Sequence, residues 1–452
     1  MRIYQILSVL IYVLVALILV CETVLAIRSL SRRKQVSALN PGHPELANAN
    51  QFAISIGWLG SIDSIVIVTL TRKICMDLGI SDVFASLPVI ASSAGSLVGI
   101  TLFRPLRNHF GTRNIVSFAY LLYVFSALFC IWFAGANSII GMCAAKIVGG
   151  IGAGILNAVL YRLPSLWKDN TAGMRAVATD TENGLLTSGI LGVFAGGILA
   201  AHVSYASIYM LETATAVCFL LLSRAVFVKK ESRFNRPDQT QKKTMSSRAY
   251  GFILKPAILT LLLISVLYNG IAVYYKQIVF PLFSDDLGFS EQTISDMYIL
   301  VRCLIYFGFR FVEKLVLKIS SRRILMGSQI LLGVSFLAFL WLDTSFLWAS
   351  AMLLISGILC KLVKNHGTIL WNQELYRQQI KPYYANPPMM TMAGIVSAVA
   401  PGFLSLLLSF GVKVLGTVMG LSAIGFTILY GIVTWKHKRQ EEYNERYHSE
   451  CR

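Results

Sequence analysis

The chain has 452 residues, 56% of them hydrophobic and only 14% charged, where ordinary soluble proteins carry about 25% charged residues. Apolar runs of roughly 20 residues, long enough to cross a hydrocarbon core of about 30 Å, recur along its length and exclude a soluble globular protein. The net charge of +18 collects in alternate connections, a positive-inside pattern that reports topology and excludes nucleic acid as a partner.

The first predicted element, 3–26, is an apolar helix followed rather than preceded by basic residues, "RSLSRRK" at 28–34. That order places its N-terminus outside and makes residues 1–34 an uncleaved anchor helix with a basic flank. A polar linker at 35–50 then leads to a twelve-helix body. Helices predicted at 51–70, 83–103, 115–134, 138–161, 181–201 and 204–227 form an N-terminal bundle over 51–228. A basic cytoplasmic linker at 229–250 separates it from helices at 252–275, 292–311, 324–342, 346–374, 388–410 and 414–435. These form a C-terminal bundle over 251–435, followed by a cytoplasmic tail, 436–452. The fold class is an all-α polytopic membrane protein of about 13 transmembrane helices.

An ionisable group at bilayer depth costs at least about 2.5–3.5 kcal/mol on insertion scales, so each such residue needs a reason. Asp63, in the middle of the first body helix, either carries protons or pairs with Lys146. Asp180 and Glu182 sit at the start of the helix predicted from 181, as proton carriers or as partners of the helix dipole. Arg302 has Tyr298 and Tyr306 one turn to either side. A guanidinium between aromatic walls suits a carboxylate or phosphate, unless an internal acid neutralises it.

Residues 361–377, "KLVKNHGTILWNQELYR", have the composition of a loop but continue an apolar run without a turn residue. They also align without a gap with "KIVGGIGAGILNAVLYR" at 146–162, sharing Lys146/Lys361, Gly152/Gly367, Asn157/Asn372 and Arg162/Arg377. The first copy is a glycine-rich membrane helix, so the second is predicted to be one too. Its Lys361, Lys364, Asn365, Thr368 and Asn372 follow 3–4 spacing and share one face, expected to point to a central cavity. His366 falls off that stripe and is expected to be a packed histidine, while Tyr268 and Asn269 are expected to face the same cavity. Two further repeats link the halves: "DLGIS" (77–81) with "DLGFS" (286–290), and "NHFGTRNIV" (108–116) with "LKISSRRIL" (317–325), which pairs Arg113 with Arg322. The eight cysteines and six histidines show no ligand spacing, so no metal, cofactor or catalytic constellation is expected and the chain is not read as an enzyme.

Two six-helix halves, a basic linker and these repeats resemble the major facilitator superfamily (MFS) over about residues 51–435. The family's loop motif, Gly-x-x-x-Asp-Arg-x-Gly-Arg-Arg/Lys, is similar to the segment holding Asn108, Gly111 and Arg113, with Asn108 in place of the Asp. Its fourth-helix motif resembles "KIVGGIGA", which contains Lys146, Gly150 and Gly152. Its fifth-helix antiporter motif resembles "SGILGVFAGG" (188–197), with Gly192 and Gly196 and with Val193 in place of Pro. The resemblance implies an MFS fold of two pseudo-symmetric bundles, here with an extra N-terminal helix. It also implies gating roles for the loop and glycine motifs, and it puts Glu212 on an outer supporting helix.

The expected function is secondary active transport of a small organic anion or amphoteric solute by alternating access, proton-coupled and tilted towards efflux. The residues assigned to the solute are Arg302, Lys361, Lys364, Asn365, Tyr298, Asn157, Asn372 and Tyr268. Those assigned to protons are Asp63, Glu182, Asp180 and Lys146. An ion gradient replaces any cofactor, and no Walker A pattern points to ATP. Expected partners are the solute and membrane lipids, with the chain a monomer in the plasma (cytoplasmic) membrane. The alternatives are a proton-coupled uptake symporter and a transport-inactive receptor or scaffold built on the same fold.

Overall fold

In lipid, helices gain no hydrophobic energy by associating, so close backbone approach at small residues has to hold a bundle together. That device is visible throughout the first half of the computed structural model. The structure describes residues 9–24, 27, 48–63, 66–79, 87–166, 171–226, 255–277, 291–338, 346–377, 395, 399, 407, 410 and 412–450. The helices are α1 (Val9–Val24), α2 (Ala49–Leu59), α3 (Val66–Asp77), α4 (Leu87–Gly135), α5 (Ile139–Arg162), α6 (Thr171–His202) and α7 (Tyr205–Val226). They continue with α8 (Pro256–Gln277), α9 (Glu291–Leu315), α10 (Ser321–Ala338), α11 (Phe346–Arg377) and α12 (Val412–Glu450). No strand occurs among the described residues. The predicted helix 388–410, the basic linker and the "DLGFS" repeat lie largely or wholly outside them.

Five described helical segments are long and apolar enough to cross a membrane: Pro105–Gly135, Ile139–Arg162, Gly173–Leu199, Tyr205–Arg224 and Lys413–Trp435. Val9–Val24, Leu87–Phe103 and Pro256–Leu267 are shorter apolar helices. The chain forms two compact units, the first of residues 1–242, 289–306 and 382–398, the second of 243–288, 307–381 and 399–452. The chain passes from one to the other within α9, after Tyr306.

In the first unit α4 and α5 meet through reciprocal glycines. A Cβ on Gly150 or Gly154 would lie 2.1 Å from the carbonyl oxygen of Ser92 or Ser96, and one on Gly95 or Gly99 would lie 2.2 or 2.1 Å from that of Ile147 or Ile151. Around this seam Phe52, Ile56, Tyr120, Ile155 and Leu156 form a buried apolar core from α2, α4 and α5. In the second unit α10 packs on α11 and α12, and both of these also pack on α8.

Several boundaries differ from expectation, among them the last helix, which runs to Glu450 through the segment expected as a tail, and three differences fall at expected site or gating residues. The first body helix is not continuous over 51–70: α2 ends at Leu59 and a turn occupies Gly60–Asp63, closed by Ser61 N–H and Ile62 N–H donating to Trp58 O. Asp63 therefore sits at an interruption rather than mid-helix. The loop expected between 103 and 115 is contracted to a kink at Gly111 (φ 79°, ψ 159°), a conformation that only glycine adopts without strain. Third, α6 starts at Thr171, ten residues before the predicted 181. Asp180 and Glu182 consequently lie about three turns inside the helix, too far in to serve its N-terminal dipole.

Candidate functional site

The interruption at Gly60–Asp63 is seated by the small residues of α6. A Cβ on Gly196 would lie 1.9 Å from Ile62 O, and one on Gly192 would lie 3.0 Å from Ser61 Cβ. The glycines read as a fifth-helix motif thus make room for the turn that carries Asp63. From that turn the Asp63 carboxylate accepts a hydrogen bond from Lys146 Nζ on α5, and both residues are buried.

Two residues of α7 complete the cluster. Lys146 Nζ lies 5.4 Å from the centre of the Tyr209 ring. The Glu212 carboxylate interacts electrostatically with Lys146 and Asp63 and is 1% exposed. Its Oε2, like the Tyr209 hydroxyl, has no hydrogen-bond partner among the described residues. Apolar side chains from α3, α4 and α5, including Ile67, Cys130 and Met142, wall the cluster. One cation is therefore paired with one carboxylate and has a second buried acid in electrostatic range, in an apolar setting where charge interactions are strong and removing a partner is costly. Glu212 was missed as a site residue because it was assigned to an outer supporting helix. The signal available was its place in an apolar run, "YMLETATA".

The other expected residues are distributed as follows. Arg302, half-buried on α9, donates from Nη1 to Gly189 O on α6 at 3.1 Å. Tyr306 is buried and its hydroxyl donates to Glu22 Oε1 at 2.7 Å instead of walling the guanidinium alone. The side chains of Tyr298, Tyr268 and Asn269 lie outside the described residues. On α11, Lys361, Lys364 and Thr368 are half-buried while Asn365 and Asn372 are buried. Thr368 Oγ1 donates to Lys364 O and Asn372 Nδ2 to Thr368 O, so the polar stripe is stitched along its own helix. His366 is fully buried, as expected for a packed histidine, and its Nε2 lies 3.2 Å from Glu313 Oε2 on α9. Glu313, another buried acid the sequence reading did not single out, lies near the end of α9.

Asn157 and Asp180 are half-buried and Glu182 is buried. In the expected gating segments Asn108 is exposed, Gly111 forms the kink and Arg113 is half-buried. Its counterpart Arg322 donates to Thr434 Oγ1 on α12. Gly150 and Gly152 both lie in the α4–α5 seam, Gly152 with a Cβ position 2.7 Å from Ala119 O. Among the described residues no group of three metal-ligating side chains occurs.

The described residues are helical, and five of their helices are long and apolar enough to cross a membrane, which defines the class as a polytopic helical membrane protein. Residues 52–372 match the profile of the Major Facilitator Superfamily. The chain belongs to this superfamily of transporters. Among solved structures it is similar to the proton:xylose symporter XylE bound to 6-bromo-6-deoxy-D-glucose, at 15% identity and a TM-score of 0.64, covering 84% of this chain and 94% of that one. A D-xylose-proton symporter structure aligns at 15% identity and a TM-score of 0.61, covering 84% of this chain and 96% of that one. At this identity the likeness establishes the fold. No curated protein matches the sequence.

Proposed function

We propose that the chain is a proton-coupled secondary transporter that moves a small organic anion or amphoteric solute by alternating access, in the direction of efflux. The observation that carries the reading is the buried Lys146–Asp63 pair at the interrupted helix, with the buried acid Glu212 in electrostatic range. A single cation between two carboxylates can exchange partners when one of them is protonated, which links proton binding to a local rearrangement. Interrupted helices at membrane depth are where transporters of this kind place their binding and coupling groups. The solute class rests on Arg302, Lys361 and Lys364, cations that the C-terminal half carries at membrane depth. Efflux is supported by the glycine motif at 188–197, which here seats the Asp63 turn. In this reading the protein resides in the plasma membrane and works as a monomer on an ion gradient alone.

The test is proton flux in inside-out vesicles with an acidified lumen and a panel of carboxylates, zwitterions and neutral sugars. Efflux by antiport predicts that an anionic or amphoteric solute drains luminal protons, and that Asp63→Asn abolishes the response. A solute-driven flux of the opposite sign indicates symport. Tight solute binding by purified protein with no flux under either gradient would identify a receptor and overturn the transport reading.

A further inference from the structure

The first described helix, α1, is tied by its side chains to three later helices. One face of α1, formed by Ile11, Val15 and Ile18, is buried at 2%, 4% and 0% exposure, while Val9, Leu10, Val13, Leu17 and Val20 are exposed. Their spacing, i, i+4, i+7, is that of a single helical stripe. The next position of that stripe is Glu22, a carboxylate at the inner end of an apolar helix and itself only 7% exposed. Tyr12 sets α1 against α6 by an edge-on contact with Phe194, ring centres 5.4 Å apart.

Glu22 is held from three directions. Its Oε2 accepts from Asn50 Nδ2 on α2 at 2.8 Å, and its Oε1 accepts from Thr187 Oγ1 on α6 at 2.9 Å and from Tyr306 Oη on α9 at 2.7 Å. Thr187 and Tyr306 are both fully buried. Next to this linkage stands the Arg302–Gly189 hydrogen bond. Gly189 is two residues beyond Thr187 on α6, and Arg302 is one turn before Tyr306 on α9. The two linkages are successive rungs between the same pair of helices, all within the first compact unit. Gly189 leaves space for the second rung, since a Cβ there would lie 2.5 Å from Arg302 Nη1.

We propose that Glu22 is a positioning residue for Arg302: the added helix lends a carboxylate that fixes Tyr306 against Thr187 and so sets where the Arg302 guanidinium stands. The functional importance of that position rests on the reading of Arg302 as a solute contact. The positioning itself does not depend on that reading.

The test uses the full-length protein in detergent and two chemical probes read by peptide mapping. N-ethylmaleimide reports on Cys303, buried at 0% exposure beside Arg302, and phenylglyoxal reports on Arg302 itself. Glu22→Ala should raise both modification rates at least tenfold, and Tyr306→Phe should do the same to a smaller extent. The double variant should be no faster than Glu22→Ala alone, because both remove the same rung. Glu22→Gln retains an acceptor oxygen but turns a donor towards Asn50 or Thr187, so it should fall between wild type and Glu22→Ala. Gly189→Ala, which pushes the guanidinium aside, should accelerate Arg302 modification with Glu22 intact. Cys130, also 0% exposed but in the cluster around Lys146, should stay protected in every variant. Unchanged rates at Cys303 and Arg302 in Glu22→Ala would overturn the proposal, and so would equal deprotection of Cys130, which would signal general loosening. Absence of flux in wild-type vesicles would instead defeat the transport reading and leave these rates unaffected.

Discussion

Lys146→Gln should destabilise the protein more than Asp63→Asn, although the two residues form one pair. Removing one partner of a buried ion pair typically costs about 3–5 kcal/mol, because the other charge is stranded. Lys146→Gln strands the Asp63 carboxylate and also removes a cation from electrostatic range of Glu212, and both acids are buried. It should reach the full figure. Asp63→Asn leaves Lys146 with Glu212 in electrostatic range and with the face of Tyr209 at 5.4 Å. A desolvated cation–π contact alone contributes about 2 kcal/mol, so the loss should fall to roughly 1–3 kcal/mol.

Reversible unfolding by denaturing detergent in lipid bicelles provides the assay, applied to Lys146→Gln, Asp63→Asn and Glu212→Gln, the double variant Asp63→Asn/Glu212→Gln and the triple variant. Removing both acids strands Lys146, so Asp63→Asn/Glu212→Gln should lose as much as Lys146→Gln. The charge-free triple variant should recover much of the loss, as buried ion pairs replaced by neutral groups often do. Equal losses in Lys146→Gln and Asp63→Asn, with Asp63→Asn and Glu212→Gln additive within about 0.5 kcal/mol, would refute the reasoning. Glu212 would then be a bystander and the partner-exchange scheme would lose its second carboxylate.

Several other substitutions probe separate parts of the fold. Gly154→Val places side-chain carbon 2.1 Å from Ser96 O and should cost at least about 3 kcal/mol or abolish folded protein, read as monodisperse yield in detergent. Gly367→Ala, whose Cβ would meet only Leu325 Cδ1 at 3.9 Å, should be neutral or stabilise the helix by up to about 1 kcal/mol, seen as an unchanged or raised melting temperature. Gly111→Ala forces a side chain into a positive-φ conformation and should cost about 1–3 kcal/mol in the bicelle assay. Glu313→Leu takes away the partner of His366 Nε2 and should cost about 1–3 kcal/mol, while Glu313→Gln, which can still hydrogen-bond the ring, should cost less.

The helical architecture was legible because membrane spans are set by length and apolarity, and α5, α7 and α11 fall within a few residues of their predicted limits. The Asp63–Lys146 pair was also legible, since two opposite charges in apolar segments have few other ways to be neutralised. The turn at Gly60–Asp63 was not, because "GWLGSIDSIVIV" is apolar enough to read as one helix. Only the approach of α6 at Gly192 and Gly196 shows why the chain turns there. Glu22 was hidden for a similar reason. It lies near the end of the span predicted at 3–26 and was not among the ionisable residues singled out, and its partners lie 28, 165 and 284 residues away.

The repeat between 146–162 and 361–377 shows how far sequence identity carries. Gly152 and Gly367 are identical and aligned, yet a Cβ on Gly152 would lie 2.7 Å from Ala119 O, whereas Gly367 has its nearest neighbour at 3.9 Å. The physical constraint on the first is absent from the second. The reason lies in the adjacent exchanges. Gly149, Gly150 and Gly154, which bring α5 close to α4, correspond to Lys364, Asn365 and Ile369 on α11. Side chains of that size rule out the 2.1 Å approach seen at Gly150 and Gly154, so α11 must hold its neighbours further off. The exchanged positions and their neighbour carry polar groups, with Asn365 and His366 buried at 1% and 0% exposure and His366 placed against Glu313. The two copies share a helix and, from the fourth position on, divide its uses: close packing at Gly149–Gly154 in the first, buried polar groups at Asn365 and His366 in the second. Substitutions that enlarge small residues should therefore be far more damaging at Gly152 than at the aligned Gly367, while Asn365→Ile, which removes buried polarity from α11, has its α5 counterpart in a position already occupied by glycine, Gly150.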